Sequence, residues 1–234
     1  MNIKRIFHRC LYMPHSIYFN LHYLPLSQAI KLPILLHKPI LKKMKGGIVI
    51  KSEDIKFGMI KLGGNSVSIY DSKYGIMWEN MGGDLTFYGK CNLGNGASVS
   101  IGEYGNIEIG ENFKATAMCK IVSYNSIKFG TNVLIGWECL FLDTDFHSLT
   151  DINTGVMKKA TAPIVIGDNN WFALKSVVLK GTETPSFCTV GANTLLNKKY
   201  ENSPYCMLVG NPAKLKKTNT YRDHENDTIN YKKL

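Results

Sequence analysis

Histidine is scarce in this chain, and a cysteine framework is missing. Six histidines occur in 234 residues, and between positions 38 and 223 there is one alone, His147. A site built from several imidazoles in the middle of the chain is therefore excluded. The six cysteines, at 10, 91, 119, 139, 188 and 206, are never spaced C-x-x-C and are too sparse for a disulfide scaffold. Several sit at apolar positions, so they read as reduced thiols of a cytoplasmic protein, with no disulfide and no metal site. Acidic residues are absent from positions 1–52, which carry Lys4, Arg5, Arg9, Lys31, Lys38, Lys42, Lys43, Lys45 and Lys51. Long apolar runs are absent too. Arg, His and Pro break each one before the core of a signal peptide forms, and no stretch is long enough to span a bilayer.

The net charge of +10 is thus concentrated at the start of the chain. Two readings of residues 1–46 stand. One is a basic, amphipathic segment lying through residues 1–45 on the anionic inner face of a membrane. The other is a cap over the end of the main fold with its lysines in water. No nucleic-acid-binding motif accompanies the charge, so nucleic acid is not an expected partner.

What the chain does have is a ruler of six. Steps of six from Leu85 land on Leu85, Cys91, Ala97, Glu103, Ile109, Ala115, Ile121, Ile127, Val133 and Cys139, and only Glu103 is neither apolar nor small. The ruler resumes in a new phase at Ile166, Phe172, Val178, Thr184, Val190 and Leu196. A helix repeats near 3.6 residues and a plain strand near 2, so neither produces this period. A short strand plus a turn does, with three such sides closing a triangular coil whose inward residues stack. Gly and Asn recur between the steps, where tight corners need unusual backbone angles. The reading is a parallel β-helix over residues 47–200, followed by a segment and charged tail at 201–234. Between about 141 and 163 the ruler stops. The inserted residues must leave the coil as a loop, where function collects on a rigid scaffold.

Residues 166–217, "IGDNNWFALKSVVLKGTETPSFCTVGANTLLNKKYENSPYCMLVGNPAKLKK", resemble the C-terminal signature of the hexapeptide-repeat acyltransferases. The likeness lies in Ile166 to Asn169, Trp171, Val177 to Leu179, Gly181, Val190 to Ala192 and Val209 to Lys214. It covers roughly residues 80–217 and is nearest to the sugar O-acetyltransferases of bacterial surface-polysaccharide pathways. The resemblance implies an all-β, left-handed parallel β-helix, a homotrimer, and acetyl-CoA as co-substrate without a metal. Two corners depart from the family pattern. Ala173-Leu174-Lys175 stands where W-I-G-x-G continues, and Pro185-Ser186-Phe187 where T-I-G-D-G ends. Bulkier corners there are expected to alter the groove that receives CoA.

Moving an acyl group to a sugar hydroxyl needs a base, and histidine suits the work near neutral pH. His147, at the root of the insertion, is the candidate, with Asp145 two residues earlier to orient it. In an extended segment both side chains would leave on the same side. Asp143 is a candidate for the acceptor sugar, and Asp143 and Asp151 are second choices for orienting the imidazole. The resemblance places CoA along Trp171, Ala173, Gly191 and Ala192, although Trp171 equally suits a packed corner. Lys214 and Lys217, with Lys198, Lys199 and Lys216, are placed to meet its phosphates or to form a solvated tail. Trp78 and Asn80 either bind sugar or seal the solenoid. A γ-type carbonic anhydrase would need three histidines on neighbouring coils, and only His147 lies in the solenoid. The alternative function is a non-catalytic β-helix scaffold or binding protein at the membrane surface, which meets a partner or the membrane through its basic N-terminus.

Overall fold

The computed structural model describes residues 12–64, 67, 70, 74–223 and 226. Lys4, Arg5, His8, Arg9, Cys10 and His224 lie outside the described residues.

Short strands alternate buried and exposed positions, as in Asn106–Ile109 and Ser126–Phe129. A strand of this kind buries one row of side chains and leaves the other row outside. After three or four residues the chain turns a corner and starts the next strand. Three parallel sheets result. Face A runs from Ile34–Leu36 through Cys91–Asn95 and Phe113–Ala117 to Cys206–Val209, face B from Ile40–Met44 to Leu195–Leu196, and face C from Gly47–Ile50 to Glu183–Thr184. The chain visits A, B and C in turn, so the faces form a triangular prism, the left-handed parallel β-helix expected from the resemblance.

All the ruler positions except Glu103 are buried. Each face has two inward columns, and the ruler crosses between them wherever a coil is longer than eighteen residues. Leu85 stacks on Ile107, and Ile107 on Ile127, so these coils have 22 and 20 residues. Glu103 falls in the surplus corner of the first. Phe172 stacks on Val190 18 residues later, which is why the second phase runs without a break.

Corners need left-handed backbone, and here residues other than glycine supply much of it. Asn112, Asn132 and Asn169 all have φ near +57° and stack at the C-to-A corner. Their amides hydrogen-bond from coil to coil at 3.2 and 3.1 Å. Asparagine tolerates this region better than most side chains.

The core is stitched by rings. Phe113, Phe129, Phe141 and Phe172 meet edge to face in sequence, with centroids 4.9, 5.0 and 5.1 Å apart. They come from faces A, C, B and A, so the stack climbs the prism as a spiral.

A parallel coil leaves the backbone of its first strand unpaired. Helix α1 (Met13–Tyr23) covers that edge. Asn20, fully buried, donates to the Ile34 carbonyl at 2.7 Å and accepts from the Ile34 N–H at 3.1 Å, while Ser16 Oγ accepts from Leu36 N–H at 2.9 Å. Phe19 meets the Trp78 ring at 5.2 Å. The cap reading of the N-terminal segment therefore describes α1. The prism itself begins at Ile34–Leu36, upstream of residue 47, and gains a last parallel strand, Cys206–Val209, beyond residue 200.

Candidate active site

The insertion leaves the prism at the B-to-C corner, between Leu140–Leu142 and Ile164–Ile166. Its stem is held by Asp143. This carboxylate is fully buried and accepts from Ser123 Oγ at 2.9 Å, Tyr124 N–H at 2.7 Å and Asn125 N–H at 2.9 Å. Burial pushes its carboxyl above the usual range, and the three donors oppose that shift. Asp143 is thus an anchor of the corner below, and its buried oxygens are spent on that corner rather than turned toward an acceptor sugar.

Beyond the stem the chain forms a ribbon, with Leu149–Thr150 antiparallel to Met157–Lys158. Asp151 closes its tip by accepting from the Asn153 and Thr154 N–H groups, both at 2.9 Å, and these bonds lower its pKa. Asp151 is therefore a turn-forming residue, well away from the imidazole's needs.

His147 is exposed in the bend between the stem and the first ribbon strand. Asp145 does not orient it. Its carboxylate pairs instead with Lys180 Nζ at 2.6 Å. The expected same-side arrangement requires an extended residue between the two, and Phe146 has φ +59°. That left-handed residue breaks the alternation. Its ring lies edge-on to Tyr124 at 5.0 Å, and its N–H donates to Thr144 Oγ1 at 2.9 Å. Among the described residues no side chain hydrogen-bonds to His147.

Lys180 was not signalled by the sequence. It follows Leu179, which stacks on Leu142, so it stands one coil above the stem. Besides Asp145 it donates to the carbonyls of Lys159 and Ala160, at 2.8 and 3.2 Å. The arm is thereby clamped from the coil below by Asp143 and from the coil above by Lys180. Only the strand register brings Lys180 here.

The other candidates lie elsewhere. Trp171 is half-buried on the outer side of face A, between Leu134 below and Thr189 above. Ala173 and Gly191 follow at the A-to-B corner, next to Gly136, and Ala192 is exposed there. Gly136, Ala173 and Gly191 stack coil on coil there as a strip of small residues, packed closely against the coil above. At Gly136 an added Cβ would stand 2.9 Å from the Phe172 carbonyl oxygen. The lost family glycines leave the backbone turn intact, because Lys175 and Phe187 adopt φ +58° and +55° in their place. Their side chains join coil-to-coil stacks, Lys175 with Glu138 at 3.6 Å and Phe187 on Tyr205 with centroids 4.5 Å apart.

Lys214 and Lys217, with Lys216, lie exposed on the last strand, Lys214–Thr218. Lys199 pairs with Glu183 at 3.3 Å, and Lys198 lies over the Tyr200 ring. Trp78 and Asn80 are interior residues. The Trp78 indole is fully buried and donates to Tyr23 Oη at 3.1 Å, and the Asn80 amide holds the Gly82–Gly83 turn. They seal the solenoid. Burial raises the pKa of the Cys91 and Cys119 thiols and that of Cys139 to about 11, so none of these three is poised as a nucleophile. Among the described residues no group of three or more His, Cys, Asp or Glu side chains converges as metal ligands would.

Comparison with known proteins points in one direction. No family model matches the chain. Over 102 residues it is 31% identical to a protein of Mycobacterium tuberculosis (strain ATCC 25618 / H37Rv) named probable acetyltransferase Rv3034c, a match covering 42% of this chain. The match spans about a third, 32%, of that relative's length. Among solved structures, the polySia-specific acetyltransferase NeuO superposes with a TM-score of 0.62 at 14% identity, over 81% of this chain and 74% of that one. A hexapeptide-repeat acetyltransferase of Vibrio cholerae, VCA0836, covers 94% of both chains at 16% identity and a TM-score of 0.45. The fold is that of the hexapeptide-repeat acetyltransferases. The resemblance seen in residues 166–217 thus holds in three dimensions.

Proposed function

We propose that the protein is an O-acetyltransferase that moves an acetyl group from acetyl-CoA to a hydroxyl of a saccharide, or of a sugar-containing precursor, in surface-polysaccharide biosynthesis. The observation that carries this reading is His147, an exposed imidazole without a hydrogen-bond partner among the described residues, on an arm clamped from two coils. A base must be free to accept a proton yet held in place, and the clamp meets both needs. His147 takes the hydroxyl proton as the sugar oxygen attacks the thioester carbonyl. The tetrahedral intermediate then expels the CoA thiolate, which takes the proton from the imidazolium. The buried thiols argue for this direct transfer over an acyl-enzyme.

His147 stands at the B-to-C corner, whereas the strip of Gly136, Ala173 and Gly191 lies at the A-to-B corner, one face away. The two groups are separated within one chain, so in this reading a homotrimer closes each site with the arm of one copy against the strip of another. The arm's exposed Phe146, Leu149, Ile152, Val156 and Met157 supply apolar area for that contact; Ile152 is 95% exposed. CoA phosphates would be met by Lys214 and Lys217, which make no ion pair among the described residues.

A titration with acetyl-CoA tests the donor. At 100 times its dissociation constant it should stabilise the protein by about 2.7 kcal/mol, seen as a saturable rise in Tm. No shift at millimolar acetyl-CoA, or a monomeric mass in solution, would overturn the reading in favour of the scaffold.

A place at the membrane surface belongs to the same proposal. Ile17, Tyr18 and Leu21 lie on the exposed side of α1, and Leu26 and Ile30 beyond it are each 68% exposed. Lys31, Lys38, Lys42, Lys43 and Lys45 belong to the same N-terminal stretch of the sequence. Among the described residues no helix is long and apolar enough to cross a membrane, so contact would be peripheral. Removing residues 1–45 would also remove Phe19, Asn20 and the first strands. Leu21→Glu with Ile30→Glu is the cleaner variant, expected to lose cosedimentation with anionic vesicles. Wild-type protein that stays in the supernatant would end the idea.

A further inference from the structure

A groove lies at the C-to-A corner of the lower coils, a different corner from the one that carries the arm. The connection from Gly47–Ile50 to Ile60–Leu62 takes nine residues, whereas the next coil crosses this corner in three, from Phe87 to Cys91. The surplus stands off the prism and encloses a groove of about 570 Å³. Its lining includes Lys56, Lys61, Lys90 and Lys114 against two acids, Asp54 and Glu111. Lys56 and Asp54 neutralise each other at 2.5 Å. Lys61, Lys90 and Lys114 make no ion pair among the described residues, so three ammonium groups face one carboxylate.

The register sets their spacing. Lys61 stacks on Asn92 and Asn92 on Lys114, all on the outer side of face A. Adjacent strands lie about 4.8 Å apart, so the two lysine stems rise roughly 10 Å apart along the prism. Between them Asn92 has a buried Oδ1 without a hydrogen-bond partner among the described residues. Phe57, 61% exposed, and Met59 supply apolar surface in the same groove.

We propose that this groove binds an acidic saccharide chain, with Lys61, Lys90 and Lys114 on its carboxylates, Phe57 against a sugar face and Asn92 available to a hydroxyl donor. Spaced cations suit a chain with a recurring negative charge. The apolar wall and the unmet acceptor suit sugar better than a bare anion. The inference rests on the saccharide acceptor proposed above and narrows it to an acidic one, gripped at a different corner from His147.

The test is calorimetry on the full-length protein with four probes: a panel of uronic acid and sialic acid oligosaccharides, neutral malto-oligosaccharides of equal length, inorganic phosphate and oligothymidylate. At least one acidic oligosaccharide should bind at least tenfold more tightly than the other three probes, and the affinity should fall with added salt. Lys61→Glu with Lys114→Glu should abolish that binding. Both residues are exposed, so the fold and the Tm rise with acetyl-CoA should be unchanged. Equal binding of the neutral sugar, of phosphate or of oligothymidylate would overturn the proposal, as would full binding by the double variant. A missing response to acetyl-CoA would instead count against the acetyltransferase reading, so the two failures are distinct.

Discussion

Phe141→Ala is expected to destabilise the protein by about 3–5 kcal/mol, the usual cost of deleting a large buried ring. For a chain of this size that corresponds to a fall in Tm of roughly 6–20 °C, read by calorimetry or circular dichroism. The cost should lie toward the upper end because Phe141 is fully buried and touches Phe129 and Phe172 edge to face. Each such pair adds about 0.5–1.5 kcal/mol beyond burial. Phe141 also sits two residues before Asp143, so a cavity there loosens the stem of the arm. Phe141→Leu, which retains most of the volume, should lose much less. A drop under about 1 kcal/mol for the alanine variant would show that the ring spiral does not govern stability.

His147→Ala should lower acetyl transfer by about 10²- to 10⁴-fold, the range a positioned general base supplies. Stability should stay within about 0.5 kcal/mol of wild type, because the side chain is exposed and has no hydrogen-bond partner among the described residues. The Tm rise with acetyl-CoA should also persist, since the histidine acts on the acceptor. Loss of turnover with retained donor binding separates a missing base from a damaged fold. Unchanged turnover would remove His147 from the mechanism. Lys180→Met makes a useful companion, because it frees the arm while leaving the imidazole in place.

The prism was legible in the sequence because each coil repeats the same local problem. An inward Ile, Val or Leu, a corner and another inward residue leave a period that can be counted. The insertion was legible for the converse reason, as a gap in the count. Contacts between coils were not. Lys180 and Asp145 are 35 positions apart, and the number of residues in the intervening coil decides whether they meet. The role assumed for Asp145 failed on a single backbone angle, at Phe146, that composition does not reveal. Trp78 and Asn80 look like sugar ligands as residue types, yet Asn20 and Phe19 of α1 turn that end of the prism into an interior. The lost glycines pointed to an altered corner, whereas Lys175 and Phe187 keep the turn and change only what projects from it.

The last strand of face A governs how molecules avoid one another. Lys214–Thr218 runs antiparallel to Cys206–Val209, and all five of its residues are exposed. A stack of parallel coils with a bare final rung would be a template on which another molecule's first coil could continue, end to end, into a fibre. The reversed strand offers the wrong hydrogen-bond pattern for such growth, and Lys214, Lys216 and Lys217 add charge repulsion along the same edge. With α1 closing the opposite end, the solenoid has a finite length.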